Sequence, residues 1–96
     1  MEEGKKIRAI RELFGISRKD FSERIGISVN TITSIELERM KCSIEVLRAV
    51  QRSYPQFRKW LNEIPLEEGD GQTSPEIEEA RDRLKPTGTD TESRSE

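Results

Sequence analysis

An all-α fold of five helices followed by an acidic tail is expected of this 96-residue chain, on three observations. Apolar residues recur at helical spacing from the start of the chain to Ile64 and then stop. Ser17 to Glu36 reads as two short helices joined by a tight turn at Gly26. Charge changes sign at the same boundary. Residues 1–64 carry 13 basic and 9 acidic side chains, a net +4, whereas residues 65–96 carry 4 and 10, a net −6. The overall −2 therefore hides a compact basic domain, 1–64, joined to an acidic linker and mostly disordered tail, 65–96.

The first helix spans 2–14. Ile7, Ile10, Leu13 and Phe14 form its apolar face, and Gly15 stops it. Its early Glu2 and Glu3 and its later Arg8 and Arg11 suit the helix dipole. Ser17 caps the second helix, with Asp20 three residues on. Phe21 and Ile25, four apart, share one face of it. Ser22 is small enough to let the next helix cross closely. Gly26 supplies the positive φ that a sharp interhelical turn needs. Ser28 then caps the third helix, 29–38, whose Ile32 and Ile35 point inward.

Ser43 caps the fourth helix, with Ile44, Leu47 and Val50 at helical spacing. Pro55 suits the first turn of the fifth, whose apolar residues are Phe57, Trp60, Leu61 and Ile64. Phe57 and Leu61 are expected inside, and part of Trp60 or Ile64 is left for a partner. Residues 65–75 are acidic with Gly and Ser and read as a linker. Residues 76–84 have few groups to bury and make at most a weak helix; 86–96 read as disordered.

The outward face of the third helix departs from an ordinary solvated surface. Val29, Asn30, Thr33 and Ser34 are short and uncharged, where Lys and Glu would be better helix formers. Short hydrogen-bonding side chains suit a surface that must approach closely, and a DNA major groove fits that description. Arg18 and Lys19 stand at the start of the second helix, the wrong end for cations. Either they are indifferent surface charges or they make a phosphate site with the helix N-terminus. Arg39 and Lys41 either grip a phosphate backbone or merely solvate a loop.

Other classes find little support. The chain has no His and one Cys, Cys42, which excludes an internal disulfide and a His/Cys metal cluster. No general base accompanies Cys42, and there is no Gly-rich phosphate loop, so neither enzyme nor cofactor is expected. No apolar run approaches a membrane span, no signal peptide is expected, and a lone thiol suits a cytoplasmic protein. A core this small is commonly supplemented by dimerisation.

The helix order and the 17–36 stretch together resemble the helix-turn-helix family of phage lambda repressor and Cro, over about residues 4–62. The resemblance rests on Phe21, the small Ser22, Ile25 and Ile27 either side of Gly26, and Ile32 and Ile35. SIEVLRAV at 43–50 looks like the family's fourth helix and PQFRKWL at 55–61 like its fifth. It implies a transcriptional regulator, a repressor of phage or mobile-element type, that binds double-stranded operator DNA as a homodimer. By position, Ser28, Val29, Asn30, Thr33 and Ser34 face bases or nearby phosphates. Arg18, where Gln is more usual, anchors a phosphate. Glu36-Leu37-Glu38 lacks the glycine that often ends the reading helix, which implies a longer helix with Glu38 near the phosphates. The alternative is a protein-interaction module, which Glu36 and Glu38 favour over DNA, or an antitoxin on the same fold, with the acidic tail holding a protein partner.

Overall fold

The computed structural model describes residues 2–84, so the disorder expected for 86–96 lies outside the described residues. All regular elements among the described residues are helices; there are no strands among them. Four helices are α1 (Glu2–Leu13), α2 (Arg18–Ile25), α3 (Val29–Glu36) and α4 (Ile44–Ser53). A 3₁₀ turn, Pro55–Phe57, runs into the short α5 (Arg58–Leu61), and α6 (Pro75–Leu84) follows after a loop. Five helices are thus present where five were expected, and the weak sixth forms as well.

One core holds the first five together. Ile7 and Ile10 of α1 meet Phe21 and Ile25 of α2, Ile32 and Ile35 of α3, and Val50 of α4, all buried. Phe57 and Leu61 point inward as expected, and Trp60 is half-buried. Tyr54, the residue before Pro55, is buried as well. Its ring stacks between Phe14 and Phe21, with centroids 5.1 and 6.0 Å away. The face of α4 corrects the sequence reading. Val46, Ala49 and Val50 are the buried set, while Ile44 is 65% exposed. Both sets have helical spacing; Ile44 belongs to the first turn, which projects past the end of the core.

At Gly4, α1 passes close against the backbone of α3. A Cβ there would fall inside the contact distance of the Ile35 carbonyl oxygen. A glycine near a helix start looks like a weakness in sequence; here it is the space through which α3 passes.

The segment read as a linker is organised by Asp70. Its Oδ2 accepts from Lys59 Nζ at 2.9 Å and from the Glu67 amide at 2.8 Å, and its Oδ1 from the Gln72 amide at 2.8 Å. Gln72 bridges the Lys59 amide and the Pro55 carbonyl, and the Thr73 amide donates to the Gln56 carbonyl. Ser74 caps α6, which packs against α1. Local composition reads as a linker because every partner of this turn except its own amides lies 11 to 17 residues away.

These donors hold the Asp70 carboxyl down to about 2, from an ordinary 3.8, with Lys59 the largest cause. Its contribution to anchoring the lobe is therefore complete above about pH 4 and lost as pH falls from there toward 2. Amide resonances of Thr73 and Ile77 should shift over that window. In Asp70→Asn they should already sit at the released positions at pH 7. Resonances unchanged by the substitution would show that the lobe is held by other contacts.

Candidate nucleic-acid interface

The α2–turn–α3 unit is fixed at three points by its own side chains. Ser17 Oγ accepts from the Asp20 amide at 3.0 Å and caps α2. Gly26 ends α2 with φ 75°, its amide bonded to the Ser22 carbonyl at 2.8 Å. Ser22 Oγ donates to the Ile27 carbonyl across the turn, a tie that an alanine could not make. Ser28 Oγ accepts from the Thr31 amide and donates to Thr31 Oγ1, capping α3.

With Ile32, Ile35 and Glu36 inside, α3 presents Val29 and Asn30 to solvent, and Thr33 and Ser34 are half-buried beside them. Ser28 is exposed at the helix start, its hydroxyl engaged in the cap. The four short side chains expected to face outward are thus on one accessible surface, without a Lys or Arg among them.

The helix ends earlier than expected, at Glu36 rather than 38. Leu37 is the C-cap, and Glu38 takes the left-handed conformation, φ 61°, where a glycine is usual. The Glu38 amide bonds to the Ile35 carbonyl at 3.0 Å and the Arg39 amide to the Ser34 carbonyl at 2.7 Å. This double closure terminates the helix without glycine, so α3 does not run on.

Glu36 is the largest departure from the sequence reading. Its side chain has 0% exposure. Arg11 of α1 grips it bidentately, Nε to Oε2 at 2.9 Å and Nη2 to Oε1 at 3.0 Å. Arg11 Nη1 continues to the Ile16 carbonyl at 3.0 Å, and Arg18 Nε of α2 reaches Oε1 at 3.0 Å. The carboxylate raises the Arg11 guanidinium above its ordinary pKa, chiefly through this hydrogen bonding. One buried carboxylate thus ties the C-terminal end of α3 to both preceding helices. A hub of this kind has no local signal, because its members lie 18 and 25 residues apart.

The four cations expected at phosphates differ in their surroundings. Lys19, Arg39 and Lys41 are exposed, whereas Arg18 is half-buried and committed through Nε to Glu36. Cys42 is half-buried, and burial pushes its thiol up to about 11, so it stays protonated at neutral pH. Among the described residues, no helix is long and apolar enough to cross a membrane.

A family model described as helix-turn-helix matches residues 7–55, which include the second half of α1 and all of α2, α3 and α4. No curated protein and no solved structure matches the chain.

Proposed function

From the premise that this chain belongs to the helix-turn-helix family, of the lambda repressor and Cro type, we propose that it is a repressor that reads operator DNA with the exposed face of α3. The observation that carries this reading is that face itself: Val29, Asn30, Thr33 and Ser34, short, uncharged and accessible on a helix clamped at both ends. In the major groove, Asn30 pairs bidentately with adenine through N6 and N7, and Val29 meets a thymine methyl. Thr33 and Ser34 add single hydrogen bonds, and Ser28 fixes the helix start. Arg18, Lys19, Arg39 and Lys41 bind phosphates, set the register and make affinity fall with salt. A homodimer reads two half-sites about 34–36 Å apart. Glu36 counts against DNA in the sequence, but its burial removes it from the surface that phosphates approach.

Selection of duplexes from a random pool should recover a site with twofold symmetry. On that site Asn30→Ala should weaken binding by about 1–3 kcal/mol and relax preference at one base pair per half-site. Binding to random duplex should be unchanged, as read by fluorescence anisotropy. Equal loss on selected and random DNA would remove Asn30 from base readout.

A further inference from the structure

The position of Leu37 on α3 gives it a role beyond that of a C-cap. At about 100° per residue, with Val29 at zero, Thr33 points to about 40°, Asn30 to about 100° and Ser34 to about 140°. Leu37 falls at about 80°, in the middle of that fan, and roughly opposite the buried Ile32 and Ile35. Its backbone, φ −85° and ψ 5°, stays close enough to helical to keep the side chain on this face. Leu37 is 42% exposed and Val29 38%. Val29, Thr33 and Leu37 therefore form a stripe along the exposed face with apolar groups at both ends. The two ends lie about 12 Å apart along the axis, three to four base steps at about 3.4 Å each.

Building on the reading of α3 as the DNA-contacting helix, we propose that Leu37 is a specificity-determining residue that, with Val29, selects thymine methyl groups at two separate positions of the half-site. Base edges in the major groove are hydrogen-bonding groups except for the C5-methyl of thymine, the one apolar feature there. A leucine pressed against cytosine N4 or guanine O6 strips water from a polar group and returns no hydrogen bond. Against a thymine methyl it buries apolar surface from both partners. The face carries no guanidinium or ammonium to read guanine, so the two apolar ends and Asn30 together favour an A·T-rich half-site. Glu38 takes the left-handed conformation directly after Leu37, so Leu37 is the last residue of the stripe.

The test uses the full chain and the duplex recovered by selection, with deoxyuridine replacing thymine one position at a time. Deoxyuridine keeps every hydrogen-bonding group and removes the methyl alone. Two thymines per half-site should each lose about fourfold in Kd, the transfer free energy of one buried methyl expressed as a ratio. In Leu37→Ala the loss at one of them should disappear while the loss at the other persists. Deoxyuridine that is neutral at every position, or a penalty pattern identical in Leu37→Ala, overturns the proposal while leaving α3 as the reading helix. A pool that yields no enriched site overturns the reading of α3 itself. The deoxyuridine series on the unmodified chain needs no variant to fold, so it decides the thymine question by itself.

Discussion

Arg11→Met should lower the stability of the fold by about 3–5 kcal/mol, the range for removing one partner of a buried ion pair. The loss is large because Glu36 has nowhere to go. Its side chain is fully enclosed, and without Arg11 it keeps a single bond, from Arg18 Nε. The Ile16 carbonyl loses its Arg11 donor in the same step. Domains of this size have about 5–15 kcal/mol in total, so the variant should stand near its unfolding threshold at 37 °C. Adding Glu36→Leu should restore most of the loss, because an apolar side chain in that space needs no counterion and such replacements are often neutral or stabilising. Urea titration of the two variants measures both changes. A loss below about 1 kcal/mol for Arg11→Met would match a solvated surface pair and would contradict the enclosure of Glu36.

Gly4→Ala should destabilise by about 2–3 kcal/mol, although helix propensity alone favours it by about 1 kcal/mol. The two expectations differ in sign, which makes the measurement decisive. The added methyl would enter the space held by the Ile35 backbone carbonyl, so either α1 or the last turn of α3 must move. Peptide backbone inside a packed helix pair yields much less readily than a flexible side chain. At about 4–8 °C of melting temperature per kcal/mol for a domain of this size, the expected fall is on the order of 10–20 °C. A rise in melting temperature would show that the helices are further apart than the structure places them.

These two residues also show where sequence reasoning reached its limit. The caps at Ser17, Ser28 and Ser43 and the bend at Gly26 were legible because each acts within three or four residues of itself. The inward pairs Phe21–Ile25 and Ile32–Ile35 were legible for the same reason, and so was the short polar face of α3. Gly4 was not, because what matters about it is a carbonyl 31 positions further along the chain. Glu36 looked like a liability beside DNA, since a carboxylate shows its sign in sequence but not which way it points. The choice between Ile44 and Val46 as the inward residue of α4 was ambiguous in principle, as both continue a 3.6-residue repeat. Leu37 was hidden by a different fault: the missing glycine suggested that the helix continued, when a glutamate had taken the left-handed turn instead.

Trp60 is the single indole of the chain. Phe57 meets its ring edge-on at 6.3 Å, and the Lys6 ammonium stands 5.2 Å from the ring centroid. Lys6 also donates to the Trp60 carbonyl, and Pro75, Glu76 and Glu79 of α6 border the same hollow. Its intrinsic emission is therefore a reporter of the seam between the N-terminal helix and the C-terminal lobe. Α3, which has no aromatic residue, adds nothing to that signal. Denaturation followed by fluorescence watches that seam come apart, while far-ultraviolet dichroism counts every turn of helix. Any gap between the two midpoints measures how independently the lobe lets go of the domain beneath it.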